Sequence, residues 1–227
     1  MATKAGRSGP TAVYLEIGSK RVFACALDWP GWCRSGRTEE LALQTLAAYA
    51  PRYAVVARQA GVTFPATAGD APHVVERLPG SATTDFGAIA ALATSDAEPL
   101  GGAGAERLTA LVTASWAVFD RVVAAAPAEL RKGPRGGGRD RDKIVDHVLG
   151  AEAAYARKLG VKQRQPAIGD TAAIAALRDA IVTALRAPSD GEPPVPKGWP
   201  PRFAARRLAW HVLDHAWETE DRGGPAG

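Results

Sequence analysis

Near its C-terminus the chain reads AWHVLDHAWETEDR, from Ala209 to Arg222. Within this stretch His211 and His215 stand four positions apart, so a helix places them on one face, one turn above each other. Two imidazoles in that arrangement can bind the same metal ion. The stretch therefore predicts a helix that carries part of a metal site.

A third histidine, His147, falls on the apolar face of another predicted helix. At about 100° per residue, His211 and His215 also point where the core residues of their own helix point. Three inward histidines among only four in the chain favour a metal site over hydrogen-bonded core histidines, the alternative interpretation. Nearby carboxylates could orient the imidazoles, and the candidates are Asp146, Asp214 and Glu218.

The composition is that of a folded protein without a strong charge bias. The chain has 227 residues, of which 46% are hydrophobic, and a net charge of +4, which alone is too small to indicate nucleic-acid binding. Residues 1–10 have no apolar core, so we expect no signal peptide, and no apolar run approaches the ~20 residues that span a bilayer. With only Cys25 and Cys33, we expect a cytoplasmic protein with reduced thiols.

Residues 11–79 predict a small ββ(β)αβ unit after a tail at residues 1–10. Alternating apolar residues indicate a half-buried first strand that forms a hairpin with the second. A short third strand could follow, and another strand closes the unit. The predicted strands are Thr11–Ile17, Arg21–Leu27, around Trp32–Ser35, and Pro72–Leu78.

One helix is expected inside this unit, and a linker after it. Thr38 has the character of an N-cap, and Pro51 should kink the helix or restart it. Residues 80–104 carry Gly, Ser and Thr without clear periodicity and predict a linker, in which a short helix around Ala88–Leu92 could form.

From residue 105 to residue 222 the apolar period is helical, and residues 223–227 form a tail. The pattern predicts four helices of similar length, which fit an antiparallel four-helix bundle. Their ranges are Glu106–Ala125, Asp140–Leu159, Asp170–Arg186 and Arg202–Asp221. The predicted fold class is therefore α+β, a small α+β domain followed by a helical bundle.

Several other residues invite a functional interpretation. Arg206 and Arg207 precede the histidine pair and are the best candidates for anion contact, ahead of the basic loop Arg131–Lys143, which we interpret as a solvated connection. Tyr155 could line the pocket. Glu152 is expected to be an ordinary helix-surface charge.

The stretch FACALDWPGWCRSGRTEELALQTL, residues 23–46, resembles the N-terminal domain of HicB-type antitoxins. The resemblance extends over residues 11–79 and implies the fold of that domain. In that family the domain binds a small toxin and precedes a DNA-binding segment. No such segment is visible here, so only the fold is carried over.

The stretches DHVLGAEAAYARKLG (residues 146–160) and RFAARRLAWHVLDHAWETEDR (residues 202–222) resemble the DinB/YfiT-like superfamily, over about residues 104–222. The resemblance implies a four-helix bundle with a metal site, usually zinc or nickel, formed by His147, His211 and His215. Characterised members of that superfamily include S-transferases and isomerases that use mycothiol or bacillithiol.

The expected function is a divalent-metal enzyme that activates a low-molecular-weight thiol or water for transfer, isomerisation or hydrolysis. Zinc is the first choice of metal, with nickel or iron as alternatives, and mycothiol or another small thiol is the expected co-substrate. Glu218 is the candidate catalytic acid or base, and Arg207 and Tyr155 are the candidates for binding the cofactor.

The expected partner is a small-molecule substrate. We expect no membrane binding and no nucleic-acid binding. The DinB/YfiT-like resemblance also allows a homodimer. The alternative is a non-catalytic interaction protein, in which the HicB-like domain docks a protein partner or the bundle itself. In that case the metal would be structural or absent.

Overall fold

The computed structural model describes residues 10–133 and 137–224. These residues form a mixed α+β structure with one four-stranded sheet and seven α-helices, so the predicted α+β class is confirmed. The predicted tails at residues 1–10 and 223–227, and the middle of the basic loop, lie largely outside the described residues.

The sheet has the strand order β3-β2-β1-β4. Strand β1 pairs antiparallel with β2, as the predicted hairpin requires, and parallel with β4. Strand β3 extends the sheet beyond β2, so the short third strand is also confirmed. The bounds are Ala12–Ile17 for β1, Val22–Ala26 for β2, Cys33–Gly36 for β3 and His73–Pro79 for β4.

Two helices connect β3 to β4, where one kinked or restarted helix was expected. Helix α1 (Glu39–Ala48) begins after Thr38, whose side chain accepts a hydrogen bond from the Leu41 N–H at 3.2 Å. Helix α2 (Ala50–Gln59) has Pro51 in its first turn, where the missing N–H of proline costs nothing. The chain therefore restarts its helix at this proline.

Strand β1 is buried on both faces, not half-buried as its alternation suggested. One face contacts α1 and α2, and the other is covered by the segment predicted as a linker. The carboxylate of the fully buried Glu16 accepts hydrogen bonds from the backbone N–H groups of Ala90 and Ala91, at 2.9 to 3.0 Å. These bonds satisfy a charge that the strand pattern alone would place in solvent.

The segment predicted as a linker is ordered over its length. Helix α3 (Ala82–Phe86) begins earlier than the expected helix at Ala88–Leu92, because Ser81 and Thr84 form a capping box there. A short 3₁₀ helix follows at Thr94–Ala97. This segment holds the second face of the sheet.

Four longer helices complete the chain, and their bounds agree with the predicted ones to within four residues. Helix α4 contacts α6 and α7, and α5 contacts the same two helices. The bounds are Gly102–Ala125 for α4, Arg141–Lys158 for α5, Thr171–Arg186 for α6 and Pro201–Gly223 for α7.

Helices α4 and α7 also pack against the N-terminal unit. Leu111 and Val118 of α4, with Leu213 and Trp217 of α7, belong to the same apolar cluster as residues of β1, α1 and α2. At Gly31 (φ +94°) the chain approaches α7 so closely that a Cβ atom would lie 2.6 Å from a methyl carbon of Leu213. The two halves of the chain therefore share part of one core.

Helix α4 is long and apolar enough to cross a membrane by length and composition, although no apolar run of that kind was predicted. In the most apolar 18-residue window of this helix, however, 56% of the window is buried inside the protein. Its buried residues are divided between two apolar clusters. Such burial is typical of the core helix of a soluble protein.

The two cysteines were expected as reduced thiols, with Cys33 in a loop. In the structure Cys33 begins β3 and lies directly opposite Cys25 of β2, with a Cα–Cα distance of 4.1 Å. Their sulfur atoms are joined as a disulfide, and both residues are fully buried. The expectation of two free thiols is therefore corrected.

Candidate metal centre

Three histidines meet where α5 contacts α7. His147 comes from α5, and His211 and His215 come from successive turns of α7. One ring nitrogen of each lies within 4.8 Å of the others. The spacing of four residues along α7 and the contact between the helices thus bring together the three side chains that the sequence singled out.

The three histidines differ in burial. His211 is 8% exposed and His215 is 9% exposed, while His147 is only half-buried. His147 is therefore the member of the cluster that is most exposed to solvent.

The ring nitrogens are disposed as metal ligands require. The Nε2 atoms of His147 and His211 lie 3.2 Å apart, and two nitrogens bound to one tetrahedral zinc at 2.0–2.1 Å are separated by about 3.3 Å. The third imidazole also places a ring nitrogen within 4.8 Å of these two. The residues present therefore fit a divalent metal ion.

The protonation state of the cluster also suits a metal. Burial lowers the pKa of His211 well below its usual value, and the neighbouring His215 and His147 lower it further. Burial, and then the charges of His215 and Arg139, lower the pKa of His147. Both imidazoles are therefore neutral at neutral pH, which leaves lone pairs available for a metal.

Glu218 fixes the orientation of one imidazole. The Nδ1 atom of His215 lies 2.8 Å from a carboxylate oxygen of Glu218, and Arg222 donates to the other oxygen at 2.6 Å. The hydrogen bond with His215 lowers the pKa of Glu218, so the group is a carboxylate. Because Nδ1 donates to this carboxylate, Nε2 of His215 is the nitrogen left to face the cluster.

Tyr155 and Arg207 form a wall beside the cluster. The ring of Tyr155 lies 5.7 Å from that of His211, although its position on the helical wheel placed it off the histidine face. The Arg207 guanidinium lies 5.3 Å from the centre of the Tyr155 ring and 5.0 Å from the Trp210 ring. The structure thus places both predicted cofactor-binding residues next to His211.

Comparison of the chain with protein-family models, with curated proteins and with solved structures found no match.

Two of the predicted orienting carboxylates are engaged elsewhere. Asp146 accepts a hydrogen bond from Gln165 at 2.8 Å, and Asp214 pairs with Arg34 of β3 at 2.8 Å. Each aspartate neighbours a histidine in sequence, but adjacent helical residues point about 100° apart. Of the three candidates, only Glu218 contacts a histidine of the cluster.

Arg206 was predicted to contact an anion beside the histidines, and this prediction was wrong. Its guanidinium forms a buried ion pair with Asp96, and it lies 5.1 Å from the Tyr14 ring. Arg206 points away from Arg207 because the two are consecutive on a helix. Its anion comes from the segment that the sequence presented as a linker.

Glu152 was expected on the surface, but it is 1% exposed and pairs with Arg178 of α6 at 3.3 Å. Burial raises its pKa, and the charge of Arg178 opposes that rise. The sequence gives no signal for this pair, because its members lie on different helices 26 residues apart.

The remaining candidates lie away from the cluster. His73, the fourth histidine, is exposed on strand β4, and Cys33 is buried in the sheet. Two concave surface regions occur elsewhere, one beside Gly101 and one beside Pro127, and neither is lined by a histidine or a cysteine. The three-histidine cluster is therefore the candidate functional site.

Proposed function

We propose that α4, α5, α6 and α7 form an antiparallel four-helix bundle that binds one divalent metal ion through His147, His211 and His215. The single observation that carries the proposal is the mutual approach of one ring nitrogen from each imidazole, within 4.8 Å. Three nitrogen ligands, one of them from the partly exposed His147, are the donor set of catalytic sites that keep a coordination position open.

A metal held there would supply a Lewis acid that activates a thiol or a water molecule. The chain's own residues do the rest of the work. Glu218 holds His215 in one orientation, and the α7 side of the cluster excludes water. Tyr155 and Arg207 lie beside His211, and a substrate would contact them there.

Within this proposal the reaction class comes from the DinB/YfiT-like resemblance. It is the transfer of a small thiol such as mycothiol to an electrophile, or a related isomerisation or hydrolysis. Zinc is the preferred metal because histidine nitrogen suits it well, and nickel or iron also bind imidazole. Catalysis by Glu218 as an acid would conflict with its lowered pKa, so we assign it the role of a base or of a positioning group.

The N-terminal unit has a place in this proposal as the support of α7. Its apolar residues share a cluster with Leu213 and Trp217 of that helix, and Arg34 pairs with Asp214 beside His215. This contact favours docking onto the helices of the same chain. Docking of a separate protein partner stays a prediction.

The test is the metal content of untagged protein, measured by mass spectrometry after reconstitution with zinc or nickel. We expect one equivalent in the parent and none in His147→Ala or His211→Ala. His73→Ala is the matched control, because it removes an exposed histidine outside the cluster. Absence of metal from the reconstituted parent, or full loading of either cluster variant, would overturn the proposal.

A further inference from the structure

The guanidinium of Arg207 is buried without an anionic partner. The residue is 8% exposed, and its Nε and Nη1 atoms are buried without a hydrogen-bond acceptor in the described part of the chain. No carboxylate among residues 10–133 and 137–224 forms an ion pair with it. A buried cation left in this state destabilises the folded protein unless something else compensates its charge.

The other well-buried arginines of the helices show what is missing. Arg206 pairs with the carboxylate of Asp96, and Arg178 pairs with those of Glu152 and Asp120. In each case the fold supplies the anion from another element. At Arg207 the neighbours are two aromatic rings, whose centres lie 5.3 and 5.0 Å from the guanidinium carbon and which supply no anion.

The position of Arg207 relates it to the histidines. It precedes His211 by four residues on α7, so the two side chains lie on the same side of the helix, about one turn of 5.4 Å apart. Tyr155 contacts both the guanidinium and the ring of His211. A ligand that contacts both His211 and Tyr155 therefore lies close to Arg207.

We propose that Arg207 binds the carboxylate of a small ligand whose other end reaches the three-histidine site. The inference rests on the proposed function and adds the chemical class of the ligand. A carboxylate suits the position because it is planar and singly charged, and the fork of a guanidinium can hold both of its oxygens. A phosphate group usually takes several cationic donors, whereas Arg207 is the guanidinium that the described structure places against Tyr155.

A short ligand can span the two groups. Arg207 and His211 are one helical turn apart on α7, about 5.4 Å along the axis, and Tyr155 lies against both. The ligand class is therefore a small thiol or electrophile that also carries a carboxylate. 3-Mercaptopropionate is a suitable probe, and its amide is the matched neutral compound.

The experiment uses full-length protein loaded with cobalt(II), since binding of a thiolate to cobalt produces an absorbance band in the near ultraviolet. We expect the parent to bind 3-mercaptopropionate at least about tenfold more tightly than 3-mercaptopropionamide, the size of a charge-assisted hydrogen bond. Arg207→Gln should lose this preference while its cobalt spectrum and its affinity for the amide stay unchanged. Arg202→Gln, which removes a cation five residues earlier on α7, should keep the preference.

Thermal melting separates ligand binding from a structural role. Because the charge of Arg207 is uncompensated, Arg207→Gln and Arg207→Met should melt at or above the temperature of the metal-free parent. A clear fall in melting temperature for both variants would contradict the inference, as would equal affinities of the parent for the two thiols. A preference that persists in Arg207→Gln would also overturn it. If cobalt does not bind to the parent, the proposed function fails, and the inference fails with it.

Discussion

Replacement of Glu218 by glutamine tests whether a carboxylate positions the metal ligand His215. The carboxylate lies 2.8 Å from Nδ1 of His215 and also accepts a hydrogen bond from Arg222 at 2.6 Å. Glutamine keeps the size of the side chain and one oxygen acceptor, but it removes the charge. The expected result is weaker zinc binding without loss of the fold.

The size of the effect follows from the change in the hydrogen bond. A hydrogen bond to a charged group contributes about 1.5–3 kcal/mol and a neutral one about 0.5–1.5 kcal/mol. The difference, about 1–1.5 kcal/mol, corresponds to about a five- to tenfold loss of zinc affinity. The Glu218 side chain is 31% exposed, and solvent screening keeps the effect at this modest size. Glu218→Ala removes the acceptor altogether and should approach the upper part of the range of about 10–100-fold known for such partners.

Zinc affinity can be measured by competition with a chromophoric chelator, and the fold can be monitored by circular dichroism. Glu220→Gln is the matched control, because Glu220 lies two residues further along α7 and faces Arg52 at 3.8 Å. It carries the same change of charge without contact to a histidine. Its zinc affinity should equal that of the parent.

Two results would refute the reasoning. If Glu218→Gln and Glu218→Ala both bind zinc as tightly as the parent, the orientation of His215 does not depend on this carboxylate. If Glu220→Gln loses as much affinity as Glu218→Gln, the effect is one of overall charge and the hydrogen bond is irrelevant.

Three further predictions concern stability. Asp96→Ala should lower the free energy of unfolding by about 3–5 kcal/mol in a urea titration, because it leaves Arg206 buried without its anion; an effect below about 1 kcal/mol would contradict this. The pKa of His211 is lowered in the folded state. Below the ordinary histidine pKa of about 6.5, the unfolded chain therefore binds a proton that the folded metal-free protein excludes. The urea midpoint should decrease as the pH is lowered from about 7.5 to about 5.5, and the decrease should be smaller in His211→Gln; equal decreases in the two proteins would count against the burial of a neutral imidazole. Gly31→Ala should lower the melting temperature more than Gly61→Ala, because both glycines have positive φ but only the first would bring a Cβ against α7; equal effects would show that close approach to α7 does not matter.

The sequence predicted the features that depend on local spacing. A separation of four residues fixes His211 and His215 on one helical face, and Pro51 fixes the start of α2, whatever the rest of the chain does. The same holds for Thr38 as the cap of α1. These features were predictable because the physics that determines them acts within one or two turns of the chain.

Pairs formed between distant elements could not be predicted in this way. Arg206 and Arg207 are consecutive arginines that the sequence could not distinguish. Asp96, 110 residues away, neutralises the first, whereas the second has no carboxylate beside it among the described residues. Glu152 was misjudged for the same reason, since its partner Arg178 lies on another helix. The identity of a buried ion pair depends on how elements meet, and no local pattern encodes that.

The burial of α7 explains why the two halves of the chain share a core. Of its 23 residues, 16 are buried, more than one apolar stripe can account for. A helix buried on most of its sides needs cover from several elements. Here α4 and α5 contact α7, and its Trp210 and Trp217 contact residues of the N-terminal unit. The face of α7 that carries His211 and His215 points toward α5, and the other faces of the helix are packed against buried residues. Rigid support of this kind holds metal ligands in place, so the N-terminal unit contributes to the candidate site without providing any of its ligands.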